Sequence, residues 1–104
     1  EQALSHSLAI YLALDGDAVV GLVRLVGDGF SSIFVQDLIV LPSYQRQGIG
    51  SDLMKEALGD YKDAYQVQLV TEQTEKTLGF YRSLGFETLS TYDCTGMIWV
   101  DRKR

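Results

Sequence analysis

The stretch Leu38-Ile-Val-Leu-Pro-Ser-Tyr-Gln-Arg-Gln-Gly-Ile-Gly-Ser-Asp-Leu-Met54 passes from an apolar run, through a short turn, into a helical pattern. The apolar run predicts a buried strand. From Gly48 onward, Ile49, Leu53, Met54, Ala57 and Leu58 fall on one helical face. The turn between them, Gln45-Arg46-Gln47-Gly48-Ile49-Gly50-Ser51, therefore sits where strand becomes helix. A helix start exposes unpaired N–H groups at the positive end of its dipole, which suits a phosphate. Glycine lets a ligand approach the backbone closely. The form of the turn excludes two nucleotide classes. It lacks the Gly-Lys-Ser/Thr ending of a P-loop, and its glycine spacing is not the dinucleotide fingerprint.

Working outward, Leu8–Leu14 and Ala18–Val26 read as strands joined by the turn Asp15-Gly16-Asp17, a β-hairpin. Ile33–Leu41 reads as a central strand covered on both faces, interrupted by Gln36-Asp37. Gly59 is expected to end the first helix. Tyr65–Glu72 predicts another strand, and Thr74 caps a second helix whose packing face is Leu78, Tyr81 and Leu84. Gly79 inside that helix suggests a close approach, and Gly85 ends it. Phe86–Leu89 and Met97–Val100 are expected to form a last strand pair. The order β-β-β-α-β-α-β-β predicts an α/β (α+β) fold, a mixed central β-sheet with helices on it. The strand–helix–strand unit in the middle is parallel and right-handed, and hairpins lie at both ends.

The chain has 104 residues, enough for one domain, and 46% of them are hydrophobic. The net charge of −5 makes a polyanion such as nucleic acid a poor partner and favours, weakly, a cationic substrate. No apolar run is long enough for a membrane span, and no signal peptide is visible, so no membrane association is expected and the cytoplasm is the default compartment. One cysteine and one histidine argue against a disulfide or a metal site.

Two elements in order carry a resemblance. Asp37-Leu-Ile-Val-Leu-Pro42 leading into Gln45-Arg-Gln-Gly-Ile-Gly50, followed downstream by Phe80-Tyr-Arg-Ser-Leu-Gly-Phe86, resembles the GNAT superfamily of acyl-CoA-dependent N-acetyltransferases. The resemblance spans the chain from Leu8 onward and implies acetyl-CoA as cosubstrate, with a small-molecule or peptide amine as acceptor. It implies that the backbone of Gln45, Arg46, Gln47, Gly48, Ile49, Gly50 and Ser51 takes the CoA pyrophosphate. The strand residues Leu38, Ile39 and Val40 would pair with the pantetheine arm, one N–H polarising the thioester carbonyl. Tyr81 would be the general acid that protonates the departing thiolate. Asp37 would take the amine proton, directly or through water; the competing reading is that it faces solvent or pairs with Arg24 or another cation. Glu72 is a second carboxylate for that role.

The resemblance also departs at places. Thr74 and Thr77 stand where the family often carries Asn and Ala. Only seven residues precede Leu8, whereas such domains begin with a strand and two helices that wall the acceptor pocket. A single 1–104 domain of this kind is thus N-terminally shortened, covered by a partner subunit such as a second copy in a homodimer, or missing a segment. A catalytically weak acyl-CoA-binding module is the alternative function. Cys94 is expected to act as a small hydrophobe rather than a nucleophile.

Overall fold

A computed structural model describes residues 2–101, which fall into two compact units, one ending at Glu72 and one beginning at Gln73. The first unit contains a mixed four-stranded sheet in the order β1 (Ala9–Asp15), β2 (Ala18–Gly27), β3 (Ser32–Val40), β4 (Gln66–Leu69). A single helical turn, α1 (Gln2–Ser5), precedes it, and α2 (Ile49–Asp60) connects β3 to β4. β1 pairs antiparallel with β2 and β2 with β3, and β4 is parallel to β3, as the strand–helix–strand pattern predicts.

Burial explains why α2 sits where it does. Its apolar stripe places Leu53, Met54 and Ala57 in the core with Val23 and Leu25 of β2 and Ile33 and Val35 of β3. Burying a side chain such as Leu53 or Met54 stabilises by about 1.5–3 kcal/mol, so these two, with the small Ala57 beside them, fix the helix on the sheet. The opposite face differs from expectation. Ile10, Leu12 and Ile39 are exposed there, so β3 is central but not covered on both sides. The alternation that a strand imposes sends these residues away from α2, and an apolar run alone does not reveal that.

Gly59 does not end α2, which continues to Asp60, where the Tyr11 hydroxyl donates to the carboxylate at 2.6 Å. Gly59 is not among the left-handed glycines, so it does not form the stop that its residue type offers. The β2–β3 connection is organised by Asp28. Its Oδ1 accepts from the N–H groups of Phe30, Ser31 and Ser32, and Oδ2 accepts from the Ser31 hydroxyl. These bonds favour the anion and hold the Asp28 carboxyl well below its usual range.

The second unit contains α3 (Glu75–Ser83) and a 3-10 turn over Leu89–Tyr92. Thr74 caps α3 as expected, its hydroxyl accepting from Thr77 N–H at 3.2 Å. No atom lies within 4 Å of where a Cβ at Gly79 would stand, so among the described residues that glycine serves no close approach. The expected strand pair at Phe86–Leu89 and Met97–Val100 is not formed. Residues from Thr88 to Cys94 instead satisfy one another locally: Thr91 N–H bonds Thr88, Asp93 N–H bonds Ser90 and Cys94 N–H bonds Leu89. Asp93 adopts a left-handed φ of 56°, closing a turn that competes with a ladder. Cys94 is exposed rather than packed as a small hydrophobe. No helix among the described residues is long and apolar enough to cross a membrane.

Candidate functional site

The ladder between β3 and β4 stops at Val35 and Leu69, while the ladder between β2 and β3 continues to Val40. Residues 36–40 of β3 therefore have a strand on one side only, an open edge of about 16 Å at ~3.3 Å per residue. The register breaks between Arg24 and Leu25, which leaves Gln36 as an extra residue just where β4 departs. Leu41 N–H bonds the Val20 carbonyl at 2.9 Å. Strand alternation then turns the backbone groups of Leu38 and Val40 toward the open edge. The last of these acceptors is engaged: Gln45 Nε2 donates to the Val40 carbonyl at 2.9 Å. Gln45 thus ties the turn to the strand by its side chain, rather than extending it outward.

Beyond Gln45 the backbone takes two left-handed steps, Arg46 at φ 65° and Gly48 at φ 84°. For glycine this is free; for arginine it costs about 1 kcal/mol. Gly48 is the N-cap of α2, and its carbonyl accepts from Asp52 N–H at 2.9 Å. Because the cap has no side chain, the N–H groups of Ile49, Gly50 and Ser51 receive no help from it, and helix geometry gives them no acceptor. No atom lies within 4 Å of where a Cβ at Gly48 would stand, so the cap is unobstructed on that side. Gln45, Arg46, Gln47 and Gly48 are exposed, whereas Ile49, Gly50 and Ser51 are half-buried. The structure therefore brings the open edge at 38–40 and the helix start at 48–51 together at one end of the first unit. Asp52 adds a negative charge in the first turn, so an anion here depends on the backbone donors.

Gly21 is a residue that the sequence reading passed over. It lies opposite Ala13 and Val40, directly beneath the start of α2. A Cβ there would stand 3.1 Å from Ile49 Cγ2 and 3.2 Å from Leu53 Cδ1. Its absence lets α2 seat its first turn beside the end of β3. A glycine inside a strand pattern is the available signal for such a close approach.

Asp37 sits opposite Arg24 in the β2–β3 register, and Arg24 Nε donates to Asp37 Oδ2 at 2.7 Å. Arg24 also donates to the Ser7 hydroxyl and the Ala3 carbonyl. The ion-pair partner named from sequence is the one found, a favourable cross-strand charge pair. Glu72 lies exposed at the end of the same unit.

Tyr81 belongs to the second unit, where the Phe80–Phe86 motif has a clear local meaning. Gly85 takes φ 99°, its N–H bonds the Arg82 carbonyl, and Phe86 N–H bonds the Tyr81 carbonyl at 3.1 Å. This is a Schellman stop, in which the residue after the left-handed glycine folds back onto the helix. The apolar contact that accompanies it is Phe86 against Tyr81, ring centroids 5.8 Å apart and edge-on, while Phe80 meets the same ring at 4.9 Å. Tyr81 is therefore clamped by two aromatic neighbours, and burial pushes its phenol above its ordinary value. A tyrosine so placed stays protonated at neutral pH and can donate a proton.

Comparison with known proteins identifies a family. Residues 6–88 match the family model described as an acetyltransferase (GNAT) domain. A solved GNAT family acetyltransferase from Streptococcus pneumoniae TIGR4 is 85% identical, with a TM-score of 0.94 over 98% of this chain and 77% of that one. GCN5-related N-acetyltransferase 1, chloroplastic, from Arabidopsis thaliana is 31% identical over 82% of this chain. The chain spans 43% of that relative's length. Naa50 from Arabidopsis thaliana, solved with the bisubstrate analogue CoA-Ac-MVNAL, is 29% identical with a TM-score of 0.61, over 76% of this chain and 55% of that one.

Proposed function

The chain belongs to the GNAT acetyltransferase family, and from that premise we propose that it is an acetyl-CoA-dependent N-acetyltransferase acting on a primary amine. The observation that carries this reading is the start of α2. A glycine cap in the left-handed region, unobstructed where a Cβ would stand, and three backbone donors without intrahelical acceptors fit a pyrophosphate. The open edge of β3 beside it offers backbone donors and acceptors to the amide-bearing arm of CoA. The CoA-containing analogue held by the Arabidopsis Naa50 supports the same ligand class.

Acetyl-CoA supplies an acetyl group activated as a thioester. The residues of this chain bind, polarise and supply a proton. An N–H of Leu38 or Val40 polarises the carbonyl, a fixed donor at the point where negative charge develops. The amine nitrogen bonds to that carbon as the carbon–sulfur bond breaks. Tyr81 gives its phenolic proton to the departing sulfur, and the amine loses a proton to water or to Asp37 Oδ1, since Oδ2 is held by Arg24. The acceptor is a small-molecule or peptide amine, consistent with the acidic net charge of −5.

Free thiol released from acetyl-CoA over a panel of amines, with wild type beside Tyr81→Phe, tests this. The expected result is thiol release in wild type and a loss of about 10²–10⁴-fold in the variant, the range for a lost general acid. Equal turnover in both would remove Tyr81 from the chemistry. Binding of CoA with no release for any amine would leave a CoA-binding module.

A further inference from the structure

The chain from Val40 to Gly48 must hold an unfavourable backbone step at Arg46, φ 65°. Such a conformation persists only where its surroundings over-determine it. One restraint is Gln45 on the Val40 carbonyl, at 2.9 Å. A second comes from outside the segment: the Tyr44 hydroxyl donates to Asp15 Oδ2. Tyr44 closes the 3-10 turn of Pro42–Tyr44, and Asp15 is the last residue of β1, at the mouth of the β1–β2 hairpin. Gly16 follows at φ 60°, so Asp15 is presented by a tight turn rather than a free loop. The carboxylate accepting from the phenol also raises the Tyr44 proton affinity, so the donor stays protonated. The hairpin thus acts as an outside brace on the segment leading into α2.

We propose that the Asp15–Tyr44 pair is a positioning device for the phosphate-receiving turn, acting without touching the ligand. This rests on the CoA reading above. It differs from a contribution to stability alone because the brace lies one residue before Gln45 and four before Gly48. Releasing it frees the left-handed steps at Arg46 and Gly48 while leaving the core residues of α2 in place.

The test measures CoA affinity by calorimetry and amide exchange across residues 45–51 in wild type, Tyr44→Phe, Asp15→Ala, Asp15→Asn and the Tyr44→Phe/Asp15→Ala double variant. One charge-assisted hydrogen bond sets the scale, so Tyr44→Phe and Asp15→Ala should each weaken CoA binding about fivefold. The double variant should be no weaker than either single, because both remove the same bond. Asp15→Asn retains an acceptor oxygen and should recover most of the affinity. The KM for acetyl-CoA should rise with kcat unchanged at saturation. Exchange at 46–49 should quicken in Tyr44→Phe even without ligand. A lower melting temperature with unchanged affinity and unchanged exchange at 46–49 would overturn the proposal. Failure of wild type to bind CoA, with exchange still quickened by Tyr44→Phe, would overturn the CoA reading and leave the brace standing.

Discussion

Replacing Gly21 by alanine tests whether α2 is seated as described. The added methyl would meet Ile49 Cγ2 at 3.1 Å, Leu53 Cδ1 at 3.2 Å and Ala13 Cβ at 3.3 Å. Carbon atoms rest at about 3.5–4.0 Å, so each neighbour must give by a few tenths of an ångström, and whether it can decides the sign. Ala13 belongs to β1 and has no flexible end. Leu53 is buried, and Ile49 is the first residue of α2, so the easiest relief is to lift the helix start. Overpacking of this kind costs about 1–3 kcal/mol. Against it stands a gain of about 0.4–1 kcal/mol from restricting the unfolded chain. The net expectation is a loss of about 1–2 kcal/mol, read by urea denaturation. Because the displaced end carries Gly48–Ser51, acetyl-CoA binding should weaken in the same variant. Gly59→Ala is the control. It lies inside α2 with no atom within 4 Å of the new methyl, so it should gain about 1 kcal/mol and leave binding alone. A Gly21→Ala protein as stable as wild type, with unchanged CoA affinity, would refute the seating of α2 on Gly21.

Other outcomes follow from particular contacts. Gly85→Ala forces an L-residue into φ 99° and should cost at least about 1 kcal/mol by urea denaturation. Turnover should fall with it, because the same stop holds Phe86 against Tyr81. For Asp28 the folded carboxyl titrates below the unfolded one, so its contribution is present above the ordinary carboxyl range near pH 4 and lost as pH falls below it. Asp28→Asn should therefore flatten the acid side of the stability profile between neutral pH and about pH 3. A parallel profile with only a constant offset would count against that account. The phenols of Tyr11 and Tyr81 titrate above the ordinary tyrosine range, so the folded state is favoured below about pH 10 and loses stability as pH rises further. Tyr11→Phe should reduce that alkaline slope in a denaturation series.

The passage from Leu38 to Met54 was legible because three local signals coincide: an apolar run, a glycine-containing turn and a helical stripe that starts at it. The stop at Gly85 was legible for a similar reason, since glycine is the residue that tolerates the left-handed step. Residues whose role depends on distant partners were not. Gly21 is decided by Ile49 and Leu53, and Tyr44 by Asp15, pairings that only the β1–β2–β3 register and the seat of α2 create. Gly59 does not end α2 because its backbone stays out of the left-handed region, which its residue type alone does not reveal. Asp37 was balanced between two readings, and only the register could place Arg24 opposite it. The run Met97–Val100 has strand composition, yet a strand also needs an edge to pair with, and composition does not supply one.

The most direct test of the central claim is a backbone amide titration by NMR with coenzyme A, compared with its dephosphorylated pantetheine fragment. The account predicts that coenzyme A shifts the amides of Gly48, Ile49, Gly50 and Ser51 most, with smaller shifts at Leu38 and Val40, and that pantetheine moves the strand amides but not the helix start. Saturable binding of coenzyme A that leaves residues 48–51 unmoved, or no shifts at millimolar ligand in the folded protein, would contradict it.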